Sequence, residues 1–421
     1  MKRRFMLRQV IGLLVILAGW ASVAHSESLS LTGYVRNYSG VLLEGGDFAV
    51  IQNTVDLTIE HYRERVAFKV NPYLYHLPSK FTDINNELEF GLRQAYMDIY
   101  FDSMDLRIGK QQIVWGKGDG VFITDVVSPK DLREFLLPDF EEIRIGVTSL
   151  KTDYYLGDHT FEAVWIPVFT PTSKPEEGSL WKVAPTFLIP PDMDVSKEDV
   201  EATLGNSEFF AKYSMLGSRV DFEVMGGYAW DDEPIMHTTR VFRPGTRQLE
   251  SLIVTPQHHR LTLGGGSFST TLGGFVIRGE GAYYSGKYFQ STDPQLPEGV
   301  LQKDYLHYLV GVDYTLWGAT LSAQFIQKTI LGYDDQIVND QCENTMTILL
   351  SKGFLRETLR VELFSYIGLN EPDALIRPKV YYDLTDGFEI LGGANIFLGD
   401  DGSFGQYTDN NMMYAKLKYS F

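Results

Sequence analysis

The sequence predicts an all-β fold: a transmembrane, antiparallel, up-and-down β-barrel of about 18 strands, or about 16, with both termini in the periplasm. Three observations support this prediction. The chain begins with a secretion signal, period-two alternation of apolar and polar residues recurs along nearly all of the remainder, and short connections alternate with long ones. Bacterial outer-membrane barrels combine all three features.

Residues 1–24 have the three parts of a secretory signal peptide. Basic residues stand near the start, an apolar run extends from Val10 to Trp20, and small residues follow up to Ala24. The run is shorter than the roughly 20 residues that a spanning helix needs, and no cysteine follows it as in a lipoprotein. We expect cleavage after Ala24, with Ser26 as the second choice, and a mature β-barrel over residues 25–421.

Alternation with period two is the signal for strands. Val55, Leu57 and Ile59 alternate with polar residues, and the segments 142–148 and 358–363 do the same. A soluble β-sandwich would also alternate, so the connections carry more weight. We expect strands at 29–38, 49–61, 64–75, 89–101, 104–114, 140–152, 158–168, 208–216, 218–230, 258–270, 272–285, 304–316, 318–331, 342–352, 356–368, 374–385, 387–398 and 411–421.

Every second connection between these strands is tight, as at Asp102–Ser103 and Trp317–Gly318, and the intervening ones are longer. Short turns at one end and long loops at the other are typical of an outer-membrane barrel. An even number of strands closes such a wall without a free edge. The connections therefore favour a barrel in the cell outer membrane, in contact with its lipid and lipopolysaccharide.

Charge and cysteine content exclude several classes of partner. Removal of the signal takes away four basic residues and no acidic ones, which shifts the net charge from −18 to −22. So acidic a chain is a poor candidate for nucleic-acid binding. The single Cys342 excludes a disulfide framework and a cysteine metal site. We expect neither a metal nor another cofactor.

The final strand carries the most specific single feature. Met413, Ala415, Leu417, Tyr419 and Phe421 alternate with polar residues, and the chain ends at Phe421. This pattern resembles the last strand of bacterial outer-membrane proteins, whose terminal phenylalanine is read by the barrel-assembly machinery. The resemblance implies that Tyr419 and Phe421 form an assembly signal and that this machinery is a partner.

The connection after the fifth strand is the strongest candidate for a functional site. Its length and its closely spaced glycines predict that residues 115–139 fold into the lumen and narrow it. Ser128 followed by Pro129 predicts a capped helix reaching about Leu136. The residues expected at the constriction are Arg107, Gln111, Trp115, Lys117, Asp119, Asp125, Lys130, Asp131, Arg133, Glu134 and Arg144.

The same region carries a family resemblance. The stretch Arg107-x-Gly109-x-Gln111-x-x-x-Trp115-Gly116 resembles an uncharacterised family of Gram-negative outer-membrane proteins, which are similar to alginate-export-type and other porin barrels. The resemblance implies a porin-like or export channel without naming a substrate. Alginate exporters line their pores with arginine, whereas the lumen expected here mixes both signs, which argues against a strongly polyanionic substrate.

Lumenal charges have two interpretations. Arg278 and Glu280 lie two residues apart on one strand face, as do Arg360 and Glu362, so each pair could form a salt-bridged ladder that braces the wall. Selectivity for a solute is the other interpretation. For single lumenal charges the sequence favours bracing, and for the loop after the fifth strand it favours a role in the pore.

Three functions are compatible with such a barrel. The first is a porin-like channel for diffusion or export of a small or hydrophobic solute, with a transport system of the periplasm or inner membrane as an expected partner. The second is a lipid-modifying enzyme, which needs a Ser–His–acid set on the outer wall. The sequence has no nucleophile-elbow pattern, and we predict no catalytic residue and no enzymatic activity. The third is a surface receptor or adhesin that acts through the long loops.

Overall fold

The computed structural model describes residues 29–78, 88–183, 189–243, 245 and 249–421. The expected signal peptide, residues 1–24, lies outside the described residues. The strands are β1 (Leu29–Leu42), β2 (Phe48–Arg63), β3 (Val66–His76), β4 (Leu88–Tyr100), β5 (Met104–Gln111), β6 (Val147–Leu156), β7 (His159–Ile166), β8 (Asp192–Met193), β9 (Glu208–Met215), β10 (Val220–Trp230), β11 (Ile235–Phe242), β12 (Leu249–Gln257), β13 (Arg260–Leu272), β14 (Phe275–Gln290), β15 (Val300–Leu316), β16 (Ala319–Leu331), β17 (Cys342–Phe354), β18 (Leu359–Gly368), β19 (Ala374–Thr385), β20 (Phe388–Leu398) and β21 (Met412–Ser420).

Helical structure in the described residues is confined to short segments. They are α1 (Phe140–Ile143), α2 (Gly402–Gly405) and the 3₁₀ turns Val195–Lys197, Leu204–Asn206 and Thr408–Asn410. In this part of the chain, no helix has both the length and the apolar character needed to cross a membrane.

Eighteen of the described strands form one closed antiparallel sheet, which comprises all of them except β8, β11 and β12. Each strand pairs with its neighbour in the chain order, and β1 pairs with β21 to complete the circle. At this seam the backbone N–H groups of Gly33 and Phe421 each donate to the other residue's carbonyl at 3.0 Å. The predicted 18-strand up-and-down barrel is confirmed.

The wall of the barrel has two chemically different faces. On β1 and β2, the apolar residues Val35 and Val55 are 48% and 37% exposed on the outer face, whereas their neighbours Arg36 and Thr54 are buried. Successive side chains of a strand point to opposite faces, so this local alternation puts valine outside and polar groups inside. An apolar outer surface of this kind suits contact with lipid.

Connection length separates the two ends of the barrel. Tight turns at one end use left-handed backbone, as at Trp317 (φ 52°) and Gly318 (φ 74°), which matches the twist of a hairpin. At the other end lie four loops that matter below. They are L3 (residues 112–146), L4 (described over 167–183 and 189–207), L5 (described over 231–243, 245 and 249–259) and L9 (399–411).

Two features of the long loops differ from the sequence prediction. Within L4 and L5, the hairpin of β11 and β12 is joined by β8 in a small three-stranded sheet that was not predicted. The strand predicted at 140–152 begins only at Val147, because the preceding residues pair inside L3. There the Asp131 N–H donates to the Ile143 carbonyl at 2.6 Å and the Ile145 N–H donates to the Pro129 carbonyl at 2.8 Å.

Cysteine labelling in intact cells tests the orientation of this barrel. Cys342 is partly buried and is first replaced by serine. With both termini in the periplasm, a cysteine at Glu177 in L4 or at Asp340, between β16 and β17, is expected to react with a membrane-impermeant maleimide. A cysteine at Ser103, in the tight turn between β4 and β5, is expected to stay unlabelled. The reverse pattern would mean that the barrel is inserted the other way round.

Candidate functional site

The first part of L3 is attached to the inner face of β14 to β16. The Lys117 N–H donates to Glu280 Oε2 at 2.9 Å, and the Asp119 N–H donates to Gln324 Oε1 at 3.0 Å. Arg278 donates to the Asp119 carboxylate and, at 3.1 Å, to the Lys117 carbonyl. The backbone and the charges of this segment are therefore held by wall residues more than 150 positions away in the chain.

Trp115 and Asp125 link L3 to the wall at β7. The indole N–H of Trp115 donates to Glu162 Oε1 at 2.6 Å, and its ring is only 3% exposed. The Asp125 carboxylate accepts from the Trp115 backbone N–H at 3.3 Å and from Arg144 Nε at 2.7 Å. Asp125 thus joins Trp115, near the beginning of L3, to Arg144, near its end. All three are among the predicted constriction residues.

The middle of L3 is not the helix that Ser128 and Pro129 predicted, and that prediction is wrong. The Ser128 hydroxyl accepts from the Ile113 N–H at 2.9 Å and donates to the Ile113 carbonyl, so it caps nothing. The Lys130 N–H donates to Thr172 Oγ1 at 3.1 Å, and the Leu132 N–H donates to the Ser173 carbonyl at 2.9 Å. The backbone N–H groups of what would have been the first turn of a helix are therefore bonded to acceptors in L4 instead.

The last part of L3 reaches the opposite wall through α1. Glu142 accepts from Arg36 on β1 at 2.8 Å and from Arg93 on β4 at 3.3 Å. Arg93 also donates to Asp56 on β2 at 2.9 Å. Directly before α1, the Asp139 carboxylate accepts from Lys416 Nζ on β21 at 3.1 Å.

Two further wall residues complete the attachment of L3. Arg377 on β19 donates to the Leu136 and Leu137 carbonyls at 3.0 and 2.9 Å. The Tyr366 hydroxyl on β18 donates to the Gly120 carbonyl at 2.7 Å. Together with the contacts above, L3 is held by strands from every side of the barrel.

Two of the predicted site residues lie apart from these contacts. Arg107 donates to Asp98 on the neighbouring strand at 2.6 Å and stacks on the Tyr96 ring at 4.0 Å. Gln111 is fully buried at the end of β5, where its amide donates to the Ser149 carbonyl at 3.3 Å. Both residues pair within the wall, Gln111 at the base of L3 and Arg107 in the half of β5 nearer the tight turn.

Three further predicted residues, Lys130, Asp131 and Arg133, pair within L3 or with the wall. Lys130 Nζ donates to the Asp125 and Ser128 carbonyls at 2.8 and 2.6 Å, and burial lowers its pKa. Arg133 binds the carboxylates of Asp131 and Glu89, at 2.7 and 3.1 Å.

Two carboxyl groups of L3 titrate unusually. Burial, reinforced by the nearby Glu142, raises the pKa of Glu134 to about 6. Partial loss of hydration acts in the same direction on Asp139, whose side chain stays exposed, but the positive charges of Lys416 and Arg36 outweigh it and lower the pKa of Asp139 to about 2. Glu134 therefore changes charge near neutral pH, whereas Asp139 stays ionised.

The interior of the barrel also contains two apolar clusters. One joins Trp115 and Ile123 of L3 to inward residues of β6 to β16 such as Phe210. The other joins Leu137 of L3 to Trp181 of L4 and to aromatic residues of L9 and the wall. Sequence analysis missed the contribution of L4, although the apolar pair Leu180–Trp181 within an acidic loop is a signal that could have indicated it.

The predicted salt-bridged ladders along single strands are wrong. Arg278 binds Asp119 and Asp313 rather than Glu280. Glu362 binds Lys379, its partner across the β18–β19 pair, at 3.1 Å. Glu362 and Lys379 are directly opposed on adjacent strands and so lie closer to each other than residues two apart on one strand. Arg278 lies opposite Gly311 and binds instead a diagonal neighbour on β15 and an aspartate of L3.

A cavity of about 690 Å³ lies between L3, L4 and the inner faces of β1 to β3. Arg36, Glu134, Leu137 and Trp181 are among its lining residues. No group of histidine, cysteine or carboxylate residues within the described ranges could hold a metal ion.

A closed 18-strand antiparallel barrel with a long loop attached across its interior has the architecture of a porin. The chain belongs to the DUF1302 family, described as a protein of unknown function, and residues 46–421 match it. No curated protein matches the sequence.

Solved porin structures are similar to this chain in fold. The crystal structure of OccAB3 from Acinetobacter baumannii has 10% sequence identity and a TM-score of 0.55, and the match covers 94% of this chain and 98% of that one. OccK8 (OprE) from Pseudomonas aeruginosa, at 10% identity, matches over the same shares with a TM-score of 0.54. OccK2 (OpdF) from the same organism, solved in complex with glucuronate, has 12% identity, the same coverage and a TM-score of 0.54. The similarity to alginate-export-type porins stays a prediction.

Proposed function

We propose that this protein is a porin-like channel of the cell outer membrane, through which a small or hydrophobic solute diffuses or is exported. In this proposal L3 narrows the pore. The observation that carries it is the attachment of L3 to opposite walls, with Glu280 and Gln324 holding one part and Arg36 and Arg93 holding the other. A segment held in this way crosses the space that about 18 strands would otherwise leave wide.

The chemistry of the interior supports a solute with an apolar part. Tyr38, Leu137 and Trp181 line the cavity between L3 and L4, where the interior of a general diffusion pore would be polar. The ion pairs of the wall mix both signs, as in Arg278 with Asp313 and Lys379 with Glu362. Such a wall gives little reason for a polyanion to enter.

Shortening L3 tests the proposal. Excision of residues 118–134, bridged with glycines, is expected to raise single-channel conductance in planar bilayers severalfold, because conductance depends on the narrowest cross-section of the pore. Heat-modifiable folding on gels should persist, since the barrel wall is unchanged. A well-folded deletion variant with unaltered conductance would contradict the role of L3.

A pair of point variants refines this test. Arg278→Ala removes the anchor of Asp119 and Lys117, so it is expected to make the open-channel current noisier and larger. Arg360→Ala is the matched control, because Arg360 stacks on Tyr381 of the wall at 3.9 Å instead. Equal effects of the two substitutions would show that loss of a wall arginine, and not release of L3, changes the current.

A further inference from the structure

The 690 Å³ cavity beside L3 has walls suited to an apolar body. Tyr38 of β1 and Trp181 of L4, both buried, line it together with Tyr75, Leu77, Leu137 and Met412. Cavities of this volume that combine apolar walls with a few converging polar groups are the usual form of small-molecule sites.

The charged groups of the cavity are unequally paired. Six acidic and three basic described side chains line it. All three cations already bind carboxylates: Arg36 binds Glu142 at 2.8 Å, Arg133 binds Asp131 and Glu89, and Lys416 binds Asp139 at 3.1 Å. No basic group of the lining is therefore left over for an anionic ligand.

Glu134 is the exception among the acidic groups that L3 contributes. Among the described residues, neither a hydrogen bond nor an ion pair joins its carboxylate to another side chain, although Asp131 and Glu142 of the same loop both have partners. Its raised pKa, about 6, reflects burial and the nearby Glu142, which the charges of Lys416 and Arg36 offset only in part. A ligand that supplied a positive charge would compensate this carboxylate.

We propose that the cavity binds an organic cation, namely a protonated amine that carries an apolar body. The ammonium group binds the Glu134 carboxylate, and the body packs against the wall formed by Tyr38, Leu137 and Trp181. Aromatic faces add to the attraction for a cation. The inference rests on the proposed channel function, since such a solute would meet this cavity on its way through the pore.

Calorimetry on the full-length folded protein in detergent tests the site without requiring conduction. The probe is phenethylammonium, and phenylacetate is the anion of similar shape. Glu134→Gln is expected to weaken phenethylammonium binding about tenfold or more, because it removes one partner of a sheltered charge pair. The matched control is Glu176→Gln, which neutralises an exposed carboxylate of the same lining and should change the affinity less than about twofold.

The pH dependence gives a second arm. The groups that face Glu134 are Asp131 and Glu142 of L3, Arg36 and Tyr38 of β1, and Lys416 of β21. Phenethylammonium affinity is expected to be highest above pH 7 and to fall as the pH drops through about 6, where Glu134 becomes neutral. The Glu134→Gln variant should show no such fall in affinity, because titration of the neighbouring groups alone does not remove the charge that binds the ammonium group.

Three results would overturn the inference. The first is a folded Glu134→Gln variant that binds phenethylammonium as tightly as the wild type, and the second is phenylacetate that binds as tightly as phenethylammonium. The third is an equal loss of phenethylammonium affinity in Glu134→Gln and Glu176→Gln. Failure of the channel proposal is distinguishable from these. Binding with the expected pattern in a barrel that does not conduct would leave the site standing without the pore, whereas conduction without binding would leave the pore standing without the site.

Discussion

Deleting Phe421 is expected to reduce the folded barrel in the outer membrane about tenfold or more. Phe421 exchanges two backbone hydrogen bonds with Gly33 at the seam where the last strand meets the first. Each such bond contributes about 0.5–1.5 kcal/mol, so closure loses on the order of 1–3 kcal/mol, and the side chain expected to serve as the assembly signal is lost too. Heat-modifiable protein in outer-membrane fractions measures the effect.

Side-chain variants separate the two causes. Phe421→Ala keeps the two backbone hydrogen bonds with Gly33 and removes the aromatic ring. Phe421→Tyr keeps the two hydrogen bonds and the aromatic ring. If the ring is the assembly signal, Phe421→Ala should resemble the deletion and Phe421→Tyr should resemble the wild type. Normal amounts of folded Phe421→Ala would restrict the role of this residue to closing the seam. Normal amounts of the deletion variant would contradict both roles.

Glu142→Ala is expected to lower the free energy of unfolding by about 3 kcal/mol. Arg36 and Arg93, which are 5% and 8% exposed, both donate to the Glu142 carboxylate, and the Tyr34 hydroxyl donates to it at 3.1 Å. The substitution leaves two buried guanidinium groups without this partner, although Arg93 retains Asp56. Urea unfolding in lipid vesicles, followed by tryptophan fluorescence, measures the loss.

The neighbouring Glu141 provides the matched control for this experiment. It lies on the same short helix α1, and its side chain is exposed. Glu141→Ala should change stability by less than about 0.5 kcal/mol, as surface substitutions usually do. Equal losses in the two variants would show that the helix itself, and not the buried charge network, accounts for the effect.

The barrel could be predicted because its signals are local. Lipid-facing and lumen-facing residues alternate along each strand, so a stretch such as Val55 to Glu60 predicts both a strand and its orientation. Tight turns such as Trp317–Gly318 then mark where each hairpin reverses. Seventeen of the expected strands lie within five residues of those in the structure, and the exception at 140–152 is the strand that follows L3.

The candidate site could be predicted only in outline. Length and glycine content singled out L3, but the pairings that hold it join residues as distant as Gly120 and Tyr366, which no local pattern specifies. The same limit explains the ion pairs, because Arg278 binds a loop aspartate and the next strand rather than Glu280.

The sequence by itself thus determined the strands and the two faces of the wall and limited the number of strands to about 18 or 16, since period-two alternation depends only on neighbours in the chain. Only the tertiary structure decided the path of L3. Ser128 and Pro129 carry a valid local helix signal. The Ser128 hydroxyl is nevertheless bonded to Ile113, and the N–H groups of Lys130 and Leu132 are bonded to Thr172 and Ser173. A buried backbone donor is bonded to whichever acceptor the surrounding fold presents, and in this lumen the acceptors come from distant segments.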